Sequence, residues 1–394
     1  MKRNVDRLMG ACILGLASGP ALAAGPPPRA TATDAAPVNA APLPQRSEPN
    51  PLQAMRILGA LQDRIAQGEP AALASQADTT REIGRRLAAF EPGIWQDGRH
   101  RESLIKYSLS GGDPSLIEAV LTRGVFPEED RALAQGVVAY MRGDMQMALE
   151  LLVRTFPRIL PPSLAGHIAL VQAALLGATE PARSIDLCDE ARLLSPGTLV
   201  EEAALRLTIS LSIEIGDAKR FDAAVFRHLL RFPNSPYAAP TDEQIARVVS
   251  ARRLPTGTII SPFVNALSGT PIERRQKLLG NIAQTALRVG NLAMAAAAAR
   301  SLRAATSVHS AAASKAMEGA ALVLSKERNS ALELLDEAQA AGSSKEIQEL
   351  IAAAKAAAAF IGSAPARLAG SPRGAKPAAS QAQGDTPTMA QIGK

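Results

Sequence analysis

At 394 residues the chain has room for one large domain or two ordinary ones. Its formal net charge of +6 is spread along the sequence, with arginines interleaved among Glu and Asp. That is the pattern of solvated helix faces and excludes the clustered basic and aromatic footprint of a nucleic-acid binder. Aromatics make up only 3%, and Ala and Leu dominate, which favours closely packed helices over a sheet.

The first predicted element is a leader. Lys2, Arg3 and Arg7 open the chain, Leu8 to Leu16 form a short apolar run, and Ala21-Leu22-Ala23 supplies a small-x-small closure. This is the order of a secretory signal peptide, with cleavage expected between Ala23 and Ala24. The apolar run is too short to span a bilayer as a stable helix. A retained anchor, or a lipoprotein start at Met9-Gly10-Ala11-Cys12, are the alternatives. Cleavage would leave a net charge of +4 and Cys188 alone, so no intramolecular disulfide could form in an oxidising compartment. Cys188 sits at a helical apolar position and reads as a buried thiol, with pairing to a partner as the other reading.

Residues 24–50 hold seven Pro and seven Ala. Such a segment buries too little surface to offset its ordering entropy and reads as a disordered, semi-stiff tether. Residues 363–394 read as a second disordered tail. Between them, 51–362 is the predicted folded body. It divides into an N-terminal helical array, 51–240, and a C-terminal one, 241–362.

Within the body one phrase recurs: a helix, a Gly-containing turn, then a second helix with a small or apolar residue five positions after the glycine. Gly143 leads to Ala148, Gly177 to Ala182, Gly216 to Phe221 and Gly290 to Ala295, and Lys326 takes the Gly position before Ala331. The intervals are 34, 39, 74 and 36 residues, the third being a doubled period. Gly112-Asp113 precedes the series. A drifting period of this length predicts an all-α, tetratricopeptide-like helical-repeat solenoid. Thr198-Leu199-Val200-Glu201 and Thr270-Pro271-Ile272-Glu273 read as capping boxes, and Asp113-Pro114 as another helix start. Leu199, Ala203, Leu207, Leu211 and Ile215 form a buried stripe, with Glu202 and Arg206 as an i,i+4 pair on the outside. Pro233, Pro236, Pro240, Pro255 and Pro262 punctuate 232–262 and predict an irregular connection, in which Thr258-Ile259-Ile260 could be extended.

Catalytic signatures are scarce. His100, His167, His228 and His309 are far apart, without a second His or Cys at metal-ligand spacing. No phosphate loop, nucleophile elbow or dinucleotide fingerprint occurs. The expectation is a protein that is not an enzyme, with no catalytic residue, no cofactor, no metal and no small-molecule substrate. Contact surfaces are the alternative to chemistry. Trp95 and Arg99, in Trp95-Gln96-Asp97-Gly98-Arg99, could anchor a partner, or Trp95 could plug the end of the array. Arg220, Arg227 and Arg231 lie on one predicted helix and could line a groove, with Phe221 and Phe226 as core. Arg252-Arg253 reads as solvated.

Several phrases in combination carry a resemblance. They are Leu58-Gly59-Ala60-Leu61-Gln62-Asp63-Arg64-Ile65-Ala66-Gln67-Gly68, Trp95-Gln96-Asp97 followed by Tyr107-Ser108-Leu109-Ser110-Gly111-Gly112-Asp113-Pro114, Ser195-Pro196-Gly197-Thr198-Leu199-Val200-Glu201-Glu202-Ala203, and Arg231-Phe232-Pro233-Asn234-Ser235-Pro236-Tyr237-Ala238. With the leader and the tether, they make the chain resemble the MotC family of periplasmic motility proteins of the rhizobial flagellar motor. The resemblance implies a non-enzymatic periplasmic scaffold needed for flagellar rotation, whose partner is the periplasmic domain of the stator protein MotB. The residues by themselves stop at an exported helical-repeat binding protein, for which a generic envelope-assembly or secretion scaffold is the alternative.

Overall fold

The computed structural model describes residues 50–252, 262–305 and 311–362. The expected leader with its Ala23/Ala24 cleavage site, the bulk of the tether, Thr258-Ile259-Ile260, Arg253, His309 and the 363–394 tail lie outside the described residues. Every regular element among the described residues is a helix.

The chain begins with a hairpin of α1 (Pro51–Ala66) and α2 (Pro70–Ala88). A 3-10 turn at Pro92–Gln96 leads to α3 (Gly98–Leu109) and α4 (Ser115–Thr122). Two-helix units follow: α5 (Glu128–Arg142) with α6 (Met145–Leu152), α7 (Pro162–Leu176) with α8 (Pro181–Leu194), and α9 (Leu199–Ile215) with α10 (Ala218–Arg231). Next come α11 (Ala238–Ala251), a short helical stretch at 262–266, α12 (Ile272–Arg288) with α13 (Leu292–Ala304), α14 (Ala311–Leu322) with α15 (Arg328–Ala340), and α16 (Lys345–Gly362).

Three of the tight turns share one chemistry. Gly143, Gly216 and Gly290 end α5, α9 and α12 with φ of 83°, 73° and 72°. The next residue, Asp144, Asp217 or Asn291, accepts a hydrogen bond from the third backbone N–H of the following helix. One Gly-Asx pair therefore both stops a helix and caps its successor. Gly177 departs from this, because it stays helical at φ −53° and α8 starts two positions later. The expected Ala182 is consequently exposed, and Ser184 takes its place. Ala148, Ser184, Phe221, Ala295 and Ala331, each the fourth residue of its helix, are all buried.

The first helices of successive units touch along a row, α3, α7, α9, α11, α12, α14 and α16, with α5 also against α3. Polar ties link segments about one unit apart. Arg220 pairs with Asp186 at 2.9 Å, and Arg274 reaches both oxygens of Asp242 at 2.8 and 2.9 Å. The α1 helix lies across this row, against α3 and α9. Its Leu58 belongs to a core shared with α3 to α7, and its Leu61 and Ile65 to a second core running on to Ala358.

Several expectations are corrected. Residues 238–251 form a regular helix inside the supposed irregular connection, and position 240 falls within its first turn, where proline removes no intrahelical bond. Thr270 does not cap α12; its hydroxyl donates to the Leu267 carbonyl at 2.8 Å. At the other capping box, Thr198 does accept from Val200 N, but Glu201 reaches past the cap to Gly197 N at 2.6 Å. Arg252 is not simply solvated: it pairs with Asp222 and lies 4.8 Å over the Phe221 ring. Cys188 is a buried thiol, as its helical apolar position suggests.

Candidate functional site

The α9 helix carries polar residues where a helix so enclosed normally has none. Of Glu202 and Arg206, expected on the outside, Glu202 is buried and Arg206 largely covered, because α9 is flanked by α8, α10, α7, α11 and α1; only its last turn is open, where Ile215, expected in the buried stripe, is exposed. Glu202 Oε1 lies 3.2 Å from Arg206 Nε and 3.4 Å from His228 Nε2, and it accepts the Ser235 hydroxyl. Burial works to raise the Glu202 pKa, but Arg206, His228 and Ser235 outweigh it and hold the carboxyl below its usual range. The Arg206 guanidinium sits 5.4 Å over the Tyr237 ring, whose hydroxyl donates to Gln76 of α2 at 3.3 Å. Burial, and then the Glu202 charge, push the Tyr237 phenol up to about 12.

Three phrases, the first more than a hundred residues from the others, meet here. Arg231 clamps Glu201 with Nε at 2.6 Å and Nη2 at 2.8 Å, joining the Ser195–Ala203 phrase to the Arg231–Ala238 phrase. The end of the Leu58–Gly68 phrase packs against the second of these: Gly68, at φ 84°, sits so close that a Cβ there would lie 2.2 Å from the Asn234 carbonyl oxygen. The phrases therefore hold the N-terminal hairpin onto α9 and the loop before α11.

The proposed contact residues separate into different settings. Trp95 is buried, with Phe90 edge-on at 6.3 Å, and Arg101 donates to its carbonyl at 3.1 Å. Arg99, on α3, is exposed and pairs with Asp97 at 3.1 Å. Arg220, Arg227 and Arg231 do share one face of α10, spaced i, i+7 and i+11. Arg220 and Arg231 are half-exposed and engaged with Asp186 and Glu201. Arg227 is exposed and has no ion pair among the described residues, beside exposed Leu230.

A cavity of about 360 Å³ opens between α1, α3, α7 and the start of α9. Lys106 and His167 line it, with Asp63 and Gln62 from α1 and the hydroxyl residues Ser110, Ser163 and Thr198. Sequence reasoning missed this cluster, since its members come from four separate segments and match no spacing motif. Burial, aided by Lys106, pushes the His167 pKa down to about 3, and its Nδ1 is buried without a hydrogen-bond partner. Burial also lowers the Lys106 pKa against the opposing pull of Asp63. Among the described residues no group of His, Cys, Asp and Glu is arranged to hold a metal ion, and no helix is long and apolar enough to cross a membrane.

Comparison with known proteins converges on one family. No solved structure matches the chain. The chemotaxis protein MotC of Rhizobium meliloti (strain 1021) is 26% identical over 300 residues, covering 73% of this chain and 67% of that protein. The family described as chemotaxis protein MotC matches residues 5–393, which spans every phrase gathered around α9, so the chain belongs to the MotC family.

Proposed function

We propose that this chain is a non-enzymatic periplasmic motility protein required for flagellar rotation, and that it binds the periplasmic domain of the stator protein MotB. Membership of the chemotaxis-protein family carries the reading. The leader pattern at residues 1–23, with cleavage between Ala23 and Ala24, supports export. The paired helices support a tetratricopeptide-like array, an architecture suited to broad contact surfaces rather than to an enclosed reaction centre.

The partner surface is the outer face of α10. Arg227 offers a guanidinium with no ion pair among the described residues, and Leu230 offers exposed apolar area beside it. Arg220 and Arg231 extend the basic stripe and can exchange their exposed edges toward partner carboxylates. Rim arginines of this kind act mainly on encounter rate and salt dependence.

Gene deletion tests the reading. Filaments present without swimming is the expected phenotype, restored by the wild-type gene. Loss of filaments, or normal swimming with detergent sensitivity, would overturn it in favour of an envelope scaffold. In a pull-down with the stator's periplasmic domain, Arg227→Glu is expected to reduce capture. Unchanged capture would remove α10 from the interface.

A further inference from the structure

We propose that the cavity between α1, α3, α7 and α9 is a binding site for a small monocarboxylate with an apolar body. The proposal stands apart from the stator reading and does not depend on it.

The walls present polar groups that make no hydrogen bond among the described residues, although Asp63 is near enough to Lys106 to act on its charge. The Lys106 ammonium makes no hydrogen bond or ion pair among the described residues, although it is half-buried. His167 Nδ1 is likewise buried and unpartnered. Buried polar groups without partners are costly, and a part-buried ammonium at the wall of a largely apolar space points to a ligand that supplies an acceptor. Two helix starts add to the positive field. Pro162 and Ser163 open α7, and Thr198 and Leu199 open α9, all at the cavity wall.

The sign and number of charges follow from the neighbours. One ammonium matches one negative charge. Asp63 lines the mouth, and Glu102 accepts the Ser163 hydroxyl at 3.2 Å just behind the wall. Both acids disfavour a dianion such as phosphate. The rest of the wall is apolar, from Leu109, Leu170, Val171 and Val200, and this suits an alkyl or aryl body. The volume accommodates a ligand of a few to a dozen heavy atoms.

The test uses the full-length protein and hexanoate as probe, with hexanol and inorganic phosphate as comparisons at matched ionic strength. The chain has four histidines, so ring NMR signals resolve individually, and His167→Gln identifies the one of interest. Millimolar hexanoate is expected to shift the His167 ring signals and raise Tm, with hexanol and phosphate doing neither. Lys106→Met is expected to weaken hexanoate about tenfold or more, the worth of one charge-assisted hydrogen bond. The same variant is expected to hold or raise Tm without hexanoate, since it removes an unpaired, part-buried cation. A purely structural lysine would behave in the opposite way. Should Lys106→Met not fold, Lys106→Gln serves as the second variant with the same expectation. A silent His167 in the wild type, an equal response to hexanol, or hexanoate affinity retained in the lysine variants would overturn the proposal.

Discussion

Gly68 and His167 show how single positions set the tolerance of this fold. At Gly68 both the left-handed φ of 84° and the approach of Asn234 exclude a side chain. Gly59, on the same hairpin, is mid-helix, and the space its methyl group would take as alanine has no other atom within 4 Å. Gly68→Ala is therefore expected to cost about 2–4 kcal/mol, and Gly59→Ala to gain about 0.5–1 kcal/mol, in urea unfolding. Equal effects would mean that the Gly68–Asn234 contact relaxes freely. His167 makes a pH prediction. Its folded pKa is near 3, well under the ordinary 6.5, so between those values the unfolded chain binds the extra proton. Stability contributed by the neutral ring is complete above pH 6.5 and declines as pH falls, by up to about 1.4 kcal/mol per pH unit. Glu202 also has a depressed pKa, but as a carboxyl its contribution is lost only below about pH 4.3, and between about pH 6.5 and 5 the difference between wild type and His167→Gln reports the histidine. Urea midpoints across that window are expected to fall in the wild type and to flatten in His167→Gln. Parallel slopes would show that burial of His167 has no thermodynamic weight.

The elements α9 and α10 show what a one-dimensional pattern conveys and what it omits. Arg231→Ala would strand the buried Glu201 carboxylate with the Gly197 N–H as its remaining partner, an expected loss of about 2–3 kcal/mol. Arg227→Ala, on the same face but without an ion pair among the described residues, is expected to stay within about 0.5 kcal/mol. Denaturation midpoints of the two variants check the contrast, and comparable losses would show that Arg227 too is held by the fold. The face shared by these arginines was readable, because helical spacing is local. The Gly-Asx turns were readable for the same reason. Glu202 and Arg206 were not: an i,i+4 spacing places two side chains together but does not say which neighbours cover them. Here α9 is covered from Leu199 to Ser212, so Glu202 became a buried hub for Arg206, His228 and Ser235. Pro240 likewise misled, since proline is tolerated in a first helical turn, whereas Pro233 and Pro236 do fall in the irregular turn before α11.

At the scale of the whole molecule the decisive feature is long-range. The α1 helix folds back across the row onto α3 and α9, and this closes the cavity that holds Lys106 and His167. Helix content and approximate period were legible in the sequence, but this placement was not. It depends on contacts such as Tyr237 with Gln76, 161 residues apart, which leave no periodic trace. The placement has a dynamic consequence. An N-terminal helix that merely decorated the array would open on its own. Here opening α1 would expose Leu58, Leu61 and Ile65, which are 0%, 6% and 0% exposed and divided between two cores. At roughly 1.5–3 kcal/mol for each side chain, that cost rivals the stability of an entire domain. Local opening of α1 should then be as rare as global unfolding. Native-state hydrogen exchange is expected to show amides from Leu58 to Ile65 as protected as those of α9, while the end of α16, where Phe360 is 79% exposed, exchanges early. Rapid exchange throughout α1 beside a protected α9 would separate the hairpin from the array, and with it the fourth wall of the cavity.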